Sequence, residues 1–262
     1  MLLKAMTRLH YACASLLLLA TTVHSEPTNI AEDDASKSEY GGSWDSGKNG
    51  GTGFGSWTMT SEGNDADRHS GFFIASTDTN KDLNNIAKDG KAFGMFANGS
   101  GFEQAVAYRS FIKPLAVGDS FSFMLENGRF EKKFDKDESG GGAVGLVLRT
   151  GNATSAPTDY NSGAMFEFGF YQGTDNYQIY DGSKPSDSGV AFTDSGVTVT
   201  VTVTGSDSYD LEIQTMSDKK LTKLPGRKFI SSGEIESMAV FDRNAEKNDV
   251  YFNQFQVAHD DK

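Results

Sequence analysis

From Tyr40 onward the chain carries short runs of period two, broken by Gly, Asn, Asp and Ser, and no useful stretch with the 3.6-residue period of an amphipathic helix. The clearest run is Val197-Thr198-Val199-Thr200-Val201-Thr202-Val203-Thr204, which predicts a strand with one dry and one wet face. Strands are predicted over 71–75, 91–97, 104–112, 120–126, 143–150, 164–171, 177–180, 197–204, 209–216, 235–242 and 250–257. No fixed-period repeat is present, which disfavours a propeller or solenoid. The pattern predicts an all-β chain folded as a two-sheet antiparallel β-sandwich.

Successive strand side chains point to opposite faces, so parity sorts these runs further. Phe121, Phe123 and Leu125 share a face, as do Val144, Leu146 and Leu148, and Phe166, Phe168 and Phe170. The opposing sets hold small residues (Gly145, Gly169) beside isolated charges and a ring (Glu126, Arg149, Glu167, Tyr171). In 104–112, Ala105, Ala107 and Arg109 are assigned to the same set. Small residues would leave a trough in which Arg, Glu and Tyr hydrogen-bond and stack on a sugar ring. A plain solvated face in which Arg109 and Arg149 pair with Glu126 and Glu167 explains the same pattern. Of the two tryptophans, Trp57, ending a glycine-dense loop with Phe54, is expected in the core; Trp44, in Gly42-Ser43-Trp44-Asp45-Ser46, is the candidate exposed platform at the trough's rim.

The N-terminus changes the picture of where the chain works. Lys4 and Arg8, the apolar run from Ala12 to Ala20, and Val23-His24-Ser25 read as a signal peptide over 1–25, with cleavage before Glu26. The apolar run is too short to span a bilayer. Residues 26–39 are expected to form a flexible acidic linker, 40–258 a single sandwich domain and 259–262 an acidic tail. The expected product is secreted and extracellular, without disulfides, since the single cysteine, Cys13, leaves with the leader. Losing Lys4 and Arg8 moves the formal charge from −12 to −14, which makes nucleic acid and anionic membranes poor partners. Asn98 and Asn152 begin glycosylation sequons, relevant in a eukaryotic host.

Candidate chemistry is sparse. Only His69 and His259 follow the leader, so multi-histidine metal centres are excluded, and no nucleophile-elbow motif accompanies His69. No cofactor is expected except a candidate structural calcium at Asp78, Asn80 and Asp82. Oxygen ligands alternate there, but Leu83 stands where an EF-hand needs glycine, and Asp89 replaces the bidentate glutamate. Glycoside hydrolysis needs two carboxylates across one bond, and Glu167 with Glu126 are the candidates.

The string Asn49 to Trp57, the segments Gly90 to Asn98, Ala107 to Phe111 and Leu115 to Phe121, and the closing Tyr251-Phe252-Asn253 resemble a β-sandwich module of secreted microbial proteins, of the concanavalin A-like lectin and glucanase group. The resemblance spans roughly Tyr40 to Val257 and implies a jelly-roll fold. Laminarinase-type members of that group carry a Glu-x-Asp-x-(x)-Glu strand. Here only Glu167 matches; Gly169 stands at the Asp position and Phe170 or Tyr171 at the final acid. The resemblance therefore implies a non-catalytic carbohydrate-binding (lectin-like) or adhesive role with polysaccharide or glycan as partner, for which strand parity and the Trp44 loop supply Trp44, Arg109, Glu126, Arg149, Glu167 and Tyr171 as candidate sugar contacts. Two alternatives stand beside it: an adhesion module for extracellular proteins, and a hydrolase using Glu167.

Overall fold

The computed structural model describes residues 27–63, 65–99, 101–130, 141–151, 160–245 and 248–259. The expected leader, Cys13 and Asn152 lie outside them. The strands are β1 (Thr28–Asp33), β2 (Thr58–Glu62), β3 (Arg68–Ser76), β4 (Lys91–Gly99), β5 (Gln104–Leu115), β6 (Asp119–Asn127), β7 (Ala143–Arg149), β8 (Ala164–Tyr171), β9 (Asn176–Tyr180), β10 (Ser186–Ala191), β11 (Val197–Gly205), β12 (Ser208–Thr215), β13 (Leu221–Lys228), β14 (Ile235–Arg243) and β15 (Val250–His259).

They form two antiparallel sheets packed face to face, the sandwich the alternation predicts. The first sheet runs β13-β12-β11-β6-β15-β4-β3, with β1 added on β15; the second runs β10-β9-β8-β7-β14-β5-β2. Between them lie the predicted apolar parity sets: Phe121, Phe123, Leu125 and the valines of β11 from the first sheet, Val144, Leu146, Leu148, Phe166, Phe168 and Phe170 from the second. Rings meet across the gap, as Phe123 does Phe168 at 6.4 Å and Phe111 does Phe121 at 5.5 Å.

Four strands that the pattern does not reveal, β1, β2, β10 and β13, lie at the margins of the sheets. A marginal strand buries little on either side, so its alternation fades; β13 even accommodates Pro225, which only an edge tolerates. The expected linker over 26–39 is corrected by β1, whose Glu32 and Asp33 pair with Gln256 and Phe255 of β15. Its short acidic sequence hid this because only Ala31 and Asp33 are buried. His259, expected in the tail, instead ends β15, with Nδ1 2.6 Å from Oδ1 of the buried Asp119.

Candidate functional site: the outer face of the second sheet

Strand register arranges the outer face of the second sheet in rows. One row runs Tyr108, Ala239, Val147, Glu167, Tyr180 across β5, β14, β7, β8 and β9. The next runs Val106, Phe241, Gly145, Gly169, Gln178. Tyr171 lies on the far side of this second row, cross-strand from Ala143, and Arg149 on the other side of the first. Arg149, Glu167 and Tyr171 thus share one face, as their parity indicates.

The middle of that face is dry. Val106, Tyr108, Ala143, Val147, Ala239 and Phe241 form a second apolar cluster, capped by Tyr160 stacked on Phe241 at 3.9 Å. Glu167 is buried beneath it at 5% exposure, its Oε1 accepting a hydrogen bond from the Tyr171 hydroxyl. Burial and the charge of Glu167 hold the Tyr171 phenol well above its usual range, so it stays a neutral donor. Tyr180 is pushed up for the same two reasons and is drawn back by Arg243. Arg149 covers Tyr108 at 5.0 Å and donates from Nε to the Ser162 carbonyl. The solvent-facing part is the half-exposed ring pair Tyr171 and Tyr180, 5.2 Å apart, with Gln178 beside it.

Gly145 and Gly169 are small for a structural reason. They are cross-strand partners, and a Cβ on either would come within 2.3 or 2.4 Å of a carbonyl on the facing strand. Glycine permits this backbone approach rather than opening a trough.

Three expected contacts lie elsewhere. Arg109 faces the space between the sheets and is fully buried. Its guanidinium pairs with Asp33, bonds the Asn49 side chain, and donates from Nε to the Gly55 carbonyl at 2.8 Å. Phe54 and Trp57 each lie 4.7 Å from it. Asp33 also accepts from the Tyr40 hydroxyl, which in turn receives the Trp57 Nε1 hydrogen at 3.1 Å. Parity misassigned Arg109 because both faces of β5 read as apolar, and the bulkier Val106 and Tyr108 point outward. Trp44 is 1% exposed, packed edge-on against Trp57 at 5.1 Å and tilted on Phe93 at 4.8 Å, so it is core and not a platform. Glu126 stands on the outer face of the first sheet, cross-strand from Tyr251. A whole sandwich therefore separates it from Glu167, and the two cannot flank one glycosidic bond.

In the candidate calcium loop, the Asp78 amide bonds the Ser76 hydroxyl and Asn80 donates to Tyr251 at 3.2 Å; the Asp82 side chain lies outside the described residues. No group of three or more His, Cys, Asp or Glu among the described residues could hold a metal. The Asn98 side chain is engaged with Asp249, and burial pushes the Asp249 carboxyl up.

Sequence reasoning missed Tyr160, Tyr180 and Arg243 on the outer face. Tyr180 was legible: it alternates with Tyr177 and Ile179 in β9. The Tyr160 cap was not, because it comes from a loop.

No family model matches the chain, and no curated protein does. Among solved structures, a carbohydrate esterase from the Shiga toxin-encoding bacteriophage phi24B is 13% identical, over 90% of this chain and 100% of its own, with a TM-score of 0.49. The Ca2+-bound exoplasmic/lumenal domain of VIP36 is 6% identical, over 78% and 83%, with a TM-score of 0.44. A legume lectin-like domain from Entamoeba histolytica is 11% identical, over 72% and 88%, with a TM-score of 0.43. The chain spans 16% of the length of a sialidase it also matches at 12% identity and a TM-score of 0.43. Lectin-like domains are thus among the structures this chain resembles, in keeping with its two antiparallel sheets. At these identities the likeness concerns architecture alone.

Proposed function

We propose that this chain is a secreted, non-catalytic carbohydrate-binding protein that takes a glycan on the outer face of its second sheet. The observation that carries the reading is the ring pair Tyr171 and Tyr180, half-exposed above a buried carboxylate. Aromatic faces bind the apolar face of a sugar ring, and the hydrogen bond from the Tyr171 hydroxyl to Glu167 holds that ring in place. Among the described residues, Glu126, the carboxylate expected to work with Glu167, belongs to the other sheet, which favours binding over hydrolysis. Secretion follows from the leader-like first 25 residues.

A glycan array run on the full chain tests this. Binding that disappears in Tyr171→Ala with Tyr180→Ala supports the site; binding that survives the double change removes it. Release of reducing sugar that is lost in Glu167→Gln would convert the reading to hydrolysis.

A second reading, contact with an extracellular protein, has one observation in its favour. Ile30 and Ile112, 45% and 67% exposed, line an apolar groove with Phe111, Leu115 and Val257. Ile112→Ser would weaken such a contact and leave glycan binding intact.

A further inference from the structure

At the end of β6, in the first sheet, lies a groove that neither the core nor the ring pair explains. Its floor is Glu126 and Asn127 at the end of β6, 4% and 2% exposed. Three loops wall it: Asn80 to Asn85 between β3 and β4, Asp194-Ser195 before β11, and Asn248-Asp249 before β15. The volume of this open groove is about 660 Å³. That falls inside the range of small-molecule sites, roughly 300–1,000 Å³.

Two glycines allow the walls to stand this close. A Cβ on Gly128 would meet the Asn248 side-chain oxygen at 2.2 Å, and one on Gly196 would meet the Leu125 carbonyl at 2.7 Å and Cβ of Glu126 at 3.1 Å. Gly196 also has φ +77°, a conformation that other residues rarely adopt. The β3–β4 loop is held in place as well. Buried Asn253 donates to the carbonyls of Ile86 and Lys91, and Leu83 and Ile86 are buried against Ala75 and Ala92.

The lining is rich in amides: five asparagines, with three acids, one lysine and Tyr251. An asparagine side chain donates and accepts from one planar end, which matches a pair of adjacent hydroxyls. Asn127 gives its Nδ2 hydrogen to the Gly128 carbonyl at 2.8 Å, while its buried Oδ1 has no hydrogen-bond partner. A buried acceptor of this kind is left for a donor from outside the chain, an ordered water or a ligand. Elsewhere in the lining, Asn80 donates to the Tyr251 hydroxyl and that hydroxyl donates to Asp249, each at 3.2 Å, which orients these three side chains. The acids do not converge into a cation cage. Their excess over lysine opposes anionic ligands.

We infer that this groove is a second saccharide site, on the opposite sheet from the tyrosine pair, and that it takes a neutral sugar unit and rejects uronates and sulfated sugars. It stands independently of the site on the second sheet. Backbone and side-chain amide NMR of the full chain, titrated with methyl glycosides of mannose, glucose and galactose and with methyl glucuronide, tests it. A neutral glycoside is expected to shift the amide signals of Asn84, Asn127 and Asn248. Exposed Asn84→Ala with Asn85→Ala should weaken that binding about tenfold while the fold is kept. Three outcomes overturn the inference: no groove shifts with any neutral glycoside, equal shifts with the glucuronide, or the same shifts with calcium chloride alone. Shifts confined to Glu167, Tyr171 and Tyr180 overturn it while supporting the proposed function. Groove shifts with none at those residues do the reverse.

Discussion

Arg109 and Arg149 look alike in the sequence, each a lone cation in an apolar strand, yet they sit on opposite faces of the same sheet. Arg109 lies between the sheets with its donors taken by Asp33, Asn49 and the Gly55 carbonyl, and with the rings of Phe54 and Trp57 each 4.7 Å away. Arg149 lies on the outer face over Tyr108. The first ties β1 and the loop before β2 to β5 and so belongs to the architecture. The second borders the cluster of Glu167 and the tyrosines. Both are buried, Arg149 at 5% exposure, but the charge of Arg109 is paired inside the core, whereas Arg149 lies on the outer face that also carries the partly exposed rings.

The most severe way to break this contrast is to remove the inner charge. Arg109→Met strands Asp33 in the core and should cost about 3–5 kcal/mol in urea unfolding, against about 1 kcal/mol for Arg149→Met. Equal losses would erase the distinction. Trp44→Ala should cost about 3–5 kcal/mol and leave the affinity of the remaining folded protein for glycan unchanged, as befits a core ring rather than a platform.

A third kind of buried polar group sharpens the comparison. Asp242 is fully buried, and neither carboxyl oxygen has a hydrogen-bond partner. Burial, then the charge of Asp249, push it well above the carboxylate range. The folded chain therefore holds a proton that the unfolded chain releases above about pH 4, and stability should fall as pH rises from there, by at most about 1.4 kcal/mol per unit from this group. Asp242→Asn should flatten that slope and raise the urea midpoint at neutral pH, with no gain in acid. A slope unchanged by the substitution would show that Asp242 is ionised in the fold. The smallest effect belongs to the outer face: Tyr171→Phe removes one hydrogen bond to Glu167 and should cost about 1 kcal/mol of stability.

Alternation alone determined much of this protein. The valines of β11, the phenylalanines of β6 and β8, and the aliphatics of β7 identified an all-β sandwich and named its core, because one side of each central strand must be dry. The same rule placed Arg149, Glu167 and Tyr171 on a shared outer face. Tertiary structure decided the rest. Parity says which side chains share a face, not which face is covered, so Arg109 and Trp44 fell inward and Glu126 went to the other sheet. Marginal strands such as β1 bury too little to leave a periodic signature. The amide groove is assembled by loops far apart in sequence, held close by Gly128 and Gly196, and no local pattern encodes that meeting.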